Sequence, residues 1–136
     1  MSARAAETEL PEGLNAVVRA ASVPVALDAV ATDDVVAGSP EQGFVELGSI
    51  AGVGAGIWEL RGGTVTDTEI DELFVVLSGW ATIELLSEPD TAPSLDRTGD
   101  PRTVEVGPGD VMRLVAGTRT KWTVPDHIRK IYIAAE

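Results

Sequence analysis

Asp71-Glu72-Leu73-Phe74-Val75-Val76-Leu77-Ser78-Gly79 decides the fold, together with Gly107-Pro108-Gly109-Asp110 and Ala116-Gly117-Thr118-Arg119-Thr120-Lys121-Trp122 further along. After its acidic start the first stretch is almost wholly apolar, the pattern of a strand covered on both faces. Ser78-Gly79 is a turn, and Trp80-Ala81-Thr82-Ile83-Glu84-Leu85 reads as the return strand of a hairpin. Residues 103–106 alternate as a half-buried strand, and Gly107-Pro108-Gly109-Asp110 turns tightly into residues 111–115. Residues 120–124 and 131–133 complete the set.

Working outward, Phe44-Val45-Glu46-Leu47 is a short strand, and Gly52-Val53-Gly54-Ala55-Gly56 turns into Ile57-Trp58-Glu59-Leu60, which Gly62-Gly63 breaks. Residues 87–102 are rich in Pro, Asp, Ser and Thr and read as a solvated loop inserted at a rim. Residues 1–32 differ in texture, being Ala-rich and weakly patterned. Val23-Pro24-Val25-Ala26-Leu27 is apolar enough for an edge strand or a contact with a partner subunit, with Pro24 confining it to an edge or bulge. The organisation expected is an N-terminal segment, 1–32, and one β domain, 33–136. About nine or ten short strands at this spacing, with almost no helical periodicity, suit a sandwich or a closed double-sheet roll.

Composition excludes several function classes. The 136 residues include no cysteine, so disulfides, thiolate metal sites and cysteine nucleophiles are absent together. Twenty-two acidic against 10 basic residues give a formal charge of −12, which repels phosphate backbones and anionic membranes; neither nucleic acid nor membrane is expected as a partner. The opening residues carry acids and a proline where a signal peptide needs an apolar run, and the expected location is the cytoplasm.

The order and spacing of these segments, from about Asp33 to Ile133, resemble a small single-domain cupin of the branch that holds ureidoglycine-aminohydrolase-like and ethanolamine-utilisation cupins. The features that carry the resemblance are Gly56-Ile57-Trp58-Glu59 before a glycine pair, Asp71-Glu72 leading into Val76-Leu77-Ser78-Gly79, Gly107-Pro108-Gly109-Asp110, Gly117 followed by Trp122, and Arg129-Lys130-Ile131-Tyr132. The resemblance implies an all-β double-stranded β-helix, the cupin jelly-roll barrel. It also implies a homodimer, since small cupins pair edge strands and outer sheet faces; outward Leu73, Val75 and Leu77 would then find cover, and Trp80 would touch a subunit rather than a ligand.

The sequence departs from the family where metal is normally held. Glu72 and Gly79 keep the spacing that closes the first cupin motif, which puts its two histidines near Thr66 and Thr68. In the second motif Gly117 is intact, while Val115, Thr120 and Val124 stand at the proline, histidine and asparagine. His127, the single histidine, lies outside both motifs. No metal and no cofactor is expected, although Glu69, Asp71 and Glu72 are hard oxygen donors that could hold Mn²⁺, Mg²⁺ or Ca²⁺.

By the family match Glu72 points into the barrel, where burial would raise its pKa and suit it to general acid or base work; the alternative is a structural hydrogen bond to a neighbouring strand or to Lys130 or Arg129. Lys130 and Tyr132 share parity and could hold a carboxylate or donate a proton, or else Lys130 merely pairs with the acidic surface. Thr120, Trp122 and Val124 share the inner face. Trp58 and Trp122 either stack on a flat ligand or fill space, and Thr66, Thr68 and Thr120 either line a hydroxyl patch or satisfy neighbouring strands. The expected catalytic residues are thus Glu72, Lys130 and Tyr132, and the expected ligand-binding residues Trp58, Thr66, Thr68, Thr120 and Trp122. The function expected is a metal-independent pocket that binds, and transforms as a hydrolase, isomerase or lyase, a small polar organic metabolite. The alternatives are a non-catalytic binding or regulatory module and a carboxylate-ligated metalloprotein.

Overall fold

The computed structural model describes residues 9–89 and 102–135, and every structural statement below is of those residues. Eight strands are present: β1 (Asp28–Ala29), β2 (Val35–Ile50), β3 (Val53–Thr68), β4 (Glu72–Gly79), β5 (Ala81–Ser87), β6 (Arg102–Val106), β7 (Val111–Leu114) and β8 (Arg119–Ala135). A 3-10 turn, Thr32–Asp34, is the one helical piece among them. No helix is long and apolar enough to cross a membrane.

Every pairing is antiparallel, and the main path runs β1-β2-β3-β8-β4-β7, with β5 joining both β6 and β8. The long strand β8 is shared. It pairs with β3 along nearly its whole length, with β5 through its first half, and with β4 through its second. One chain segment therefore belongs to both faces of a jelly roll, and the space between them holds the main core: Leu60, Phe74, Val76, Ile83, Trp122, Val124 and Ile128 among others. The ladder does not close by hydrogen bonds among the described residues, so the roll is a folded sandwich rather than a sealed barrel.

The strands are fewer and longer than the sequence reading expects, and the reason is local. Gly62-Gly63 does not break β3, and residues 120–124 and 131–133 are two parts of one strand containing Pro125. Register across β3 and β8 passes from Arg61↔His127 to Gly63↔Val124, so Gly62, at φ +74°, faces the unpaired Pro125 and Asp126 in a bulge. A proline that lacks an N–H is harmless where the ladder skips a donor, and the glycine supplies the backbone turn. The apparent stop at Gly62-Gly63 and the gap after residue 124 are one bend.

Two further expectations are corrected. β4 and β5 share no ladder, so Ser78-Gly79-Trp80 is a corner between the two faces and not a hairpin turn. Residues 23–27 form no strand either; the edge strand is β1, two residues long, on Glu41 and Gln42 of β2. The stretch before it crosses the outer face of the sheet. Val23 is buried there with Leu47 and Ile57, and Val18 and Val25 pack against them. Arg129 fastens it, donating from Nη1 to the carbonyls of Ala20 (3.0 Å) and Val23 (2.7 Å), while its Nε reaches Glu59 at 2.8 Å. Burial by itself would raise the Glu59 carboxyl, yet hydrogen bonds from Arg61 and Arg129 hold it below the usual carboxylate range. Of the expected rim loop, residues 90–101 lie outside the described residues.

Candidate functional site

Strand registry builds the site. On the inner face Trp58 of β3 is opposite Lys130 of β8, which is opposite Val76 of β4; one row along, Gly56, Tyr132 and Phe74 align in the same way. Glu72 opens β4 on the same face as Phe74 and Val76, since side chains two apart share a side. From the first half of β8, Thr120 and Trp122 point inward. These elements enclose a cavity of about 410 Å³, whose wall includes Trp58, Thr66, Thr68, Glu72, Trp122, Lys130 and Tyr132. Thr120 is fully buried behind that wall.

Two polar pairs dominate. Lys130, 5% exposed, donates to Glu72 at 2.6 Å. Its ammonium also lies 4.7 Å from the ring centroid of Trp58, 4.5 Å from Phe74 and 5.0 Å from Trp122, so three aromatic rings share its charge with the carboxylate. The second centre is Glu69, which the sequence places only in an acidic run. Its Oε2 accepts from Thr120 Oγ1 at 2.6 Å and from Trp122 Nε1 at 3.0 Å. Backbone bonds from Glu69 N to Thr118 O and from Gly117 N to Glu69 O clamp that turn onto the start of β8. Trp122 meets Trp58 edge-on, with centroids 5.4 Å apart.

The three threonines do not make one hydroxyl patch. Thr66 lines the cavity, Thr68 lies at the exposed rim accepting from Arg119 at 2.7 Å, and Thr120 is committed to Glu69. The acidic run is dispersed as well. Glu72 faces Lys130, Glu69 faces Thr120 and Trp122, and Asp71 turns away to accept from the Ala116 N–H at 2.9 Å. These partners occupy the position where cupins hold a metal. Its one surviving carboxylate carries an ammonium, Thr120 is engaged elsewhere, and among the described residues no three His, Cys, Asp or Glu side chains converge on a point that could hold an ion. The donor set does not fit a metal centre.

Sequence reasoning missed Asp34, Gln42, Phe44 and Asp67, all in the cavity wall. Gln42 accepts from Trp58 Nε1 at 3.3 Å. Asp67 sits at the rim with a pKa raised to about 6, because partial burial disfavours its charge and Glu69 repels it. Tyr132 is held above the usual phenol range by burial first, then by Glu46 and Glu72, so it remains a protonated donor at neutral pH. His127, the residue outside both motifs, bridges Ser78 Oγ (3.2 Å from Nε2) and Asp126 (2.8 Å from Nδ1). That order of groups is the one a hydrolase relay uses, but the Asp126 side chain is 83% exposed and none of the three lines the cavity. The bridge instead ties the corner at Ser78 to the β8 bulge.

Comparison with known proteins agrees with this architecture. Residues 48–132 match the family model described as the EutQ-like cupin domain. No curated protein gives a significant match. Among solved structures, the Clostridium difficile EutQ protein superposes with a TM-score of 0.55 at 22% identity, covering 78% of this chain and 79% of that one. A putative ethanolamine utilization protein Q from Salmonella typhimurium gives 0.54 at 17% identity, over 82% and 95% of the two chains. A Pseudomonas syringae protein of unknown function gives 0.63 at 17%, covering 83% of this chain but 45% of the other. At these identities the likeness is one of fold. The match of the family model over more than half of the chain shows that this chain belongs to the EutQ-like cupin domain family.

Proposed function

We propose that this protein is a small-molecule-binding cupin whose interior cavity takes a small polar organic metabolite without the help of a metal. The observation that carries this reading is the cavity of about 410 Å³ walled by Trp58, Trp122 and Tyr132 next to a mutually neutralised Lys130–Glu72 pair. Cavities of this size with aromatic walls and a few fixed polar groups are the usual form of metabolite sites. Binding is favoured over turnover because Glu72 and Lys130 spend their charges on each other, which leaves neither free to act on a guest. Catalysis retains one supporting observation: the pair and the Tyr132 phenol, a proton acceptor and a proton donor, line the same cavity.

A thermal-shift screen of polar metabolites tests the reading. A true ligand at a hundredfold excess over its dissociation constant adds about 2.7 kcal/mol, and the shift should vanish in Trp58→Ala. A shift that survives Trp58→Ala places the ligand elsewhere and overturns the assignment. For a ligand so found, turnover that disappears in Glu72→Gln would convert the binder into an enzyme.

The homodimer is proposed on the same footing. Leu73, Val111 and Ile133 are exposed, and strand registry places Leu73 beside Ile133 and Val111 beside Val75 on the outer face of the β8-β4-β7 sheet. Two copies joined through that face would cover it. Sedimentation of the protein as a dimer, and of Leu73→Glu as a monomer, is expected; a monomeric wild type removes the proposal.

A further inference from the structure

The charges in the cavity wall narrow the class of guest, given the reading that the cavity is a binding site. Four carboxylates line it, those of Asp34, Asp67, Glu69 and Glu72, against the single ammonium of Lys130. That ammonium is already spent on Glu72 at 2.6 Å and is 5% exposed. Glu69 receives two neutral donors, Thr120 and Trp122, so its charge is hydrogen-bonded without being cancelled. Asp67 receives only the N–H of Thr68, at 2.8 Å. Arg119 comes as far as the Thr68 hydroxyl but does not line the cavity. Among the described residues, an entering anion would meet three uncancelled carboxylates and no available cation. An entering cation meets those carboxylates and the indole and phenyl rings of Trp58 and Phe44. The wall already shows its preference, since Lys130 rests among Trp58, Phe74 and Trp122 at 4.5 to 5.0 Å.

We propose that the guest of this cavity is a small organic cation, an amine or quaternary ammonium, held by the Trp58 ring and the carboxylates of Asp67 and Glu69. This replaces the expectation that Lys130 and Tyr132 hold a carboxylate substrate. The charges facing Asp67 are Glu69, Asp34 on the 3-10 turn and, more weakly, Lys130 on β8. A cation entering there offsets the burial, and the repulsion from Glu69, that keep Asp67 partly protonated near pH 6. Binding should therefore tighten as pH rises from 5 to 7, by up to about tenfold if only ionised Asp67 is competent.

Choline, its neutral isostere 3,3-dimethylbutan-1-ol and the anion 3,3-dimethylbutanoate test the charge at nearly constant shape. The three tryptophan indole N–H signals of the whole protein give the location. Choline should move the signals of Trp58 and Trp122, leave that of outward Trp80 in place, and bind about tenfold or more tighter than the alcohol, with the anion not binding. Asp67→Asn should flatten the pH dependence between 5 and 7 without unfolding the protein, because the residue is exposed at the rim. Equal binding of the alcohol, or stronger binding of the anion at Trp58 and Trp122, overturns the cation and leaves the pocket reading standing. Silence at Trp58 and Trp122 with all three probes also overturns the cation, while the pocket reading stands or falls separately on the metabolite screen.

Discussion

Lys130→Ala is expected to cost about 3–5 kcal/mol of folding stability, the usual penalty for removing one partner of a buried ion pair. The side chains of Lys130 and Glu72 are only 6% and 9% exposed, so the carboxylate left behind has little water to replace the ammonium 2.6 Å away. For a domain of this size the loss should lower the melting temperature on the order of 10–20 °C. The mirror change, Glu72→Gln, should cost less. It leaves an ammonium that Trp58, Phe74 and Trp122 continue to hold, whereas nothing comparable remains for the orphaned carboxylate. The double variant Lys130→Met/Glu72→Leu should recover most of the loss, because an apolar replacement of the whole pair removes both desolvation penalties. Urea unfolding of the four proteins measures all of this. If Lys130→Ala falls within about 1 kcal/mol of wild type, the ammonium is hydrated in solution and the caged pair does not exist.

That pair also shows where sequence reasoning reached and where it stopped. Parity along β8 puts Lys130 and Tyr132 on one face and Thr120 with Trp122 on one face, and the structure finds both. The spacing from Glu72 to Gly79 identified the acid that opens β4. The two basic candidates for Glu72 were adjacent, and only the fold separates them: Lys130 turns inward while Arg129 turns to Glu59 and the N-terminal segment on the outer face. Asp34 and Gln42 carry no motif, and they reach the wall because β2 pairs with β3 in one particular register. Glu69 looked like one of three clustered acids because sequence proximity ignores direction. Its role depends on Thr120 and Trp122, more than fifty residues away. The strand lengths were hidden for the same kind of reason. Gly62-Gly63 reads as a terminator when taken alone, and β3 runs on through it only because the fold sets Gly62 opposite Pro125.

Gly43→Ala should be strongly disruptive, with an expected loss of about 2–4 kcal/mol. A β-carbon there would land on the Ala26 carbonyl oxygen and press Val25, and backbone cannot rotate out of the way as a side chain can. Either β2 distorts or the N-terminal segment lifts off. Lifting is the easier response, since Arg129 and the small cluster of Val23, Leu47 and Ile57 are its principal fastenings. Release reaches the cavity, because Val30 and Asp34, just downstream of this segment, form part of the cavity wall. Limited proteolysis should accordingly cut Gly43→Ala within residues 10–31 much faster than wild type, and any ligand found in the screen should bind it more weakly. Gly107→Ala is the control: nothing lies within 4 Å of the added carbon, and its stability should stay within about 0.5 kcal/mol of wild type. Equal cleavage of the two variants would mean that the segment is already detached in solution, and that the wall it supports is not needed to hold a guest.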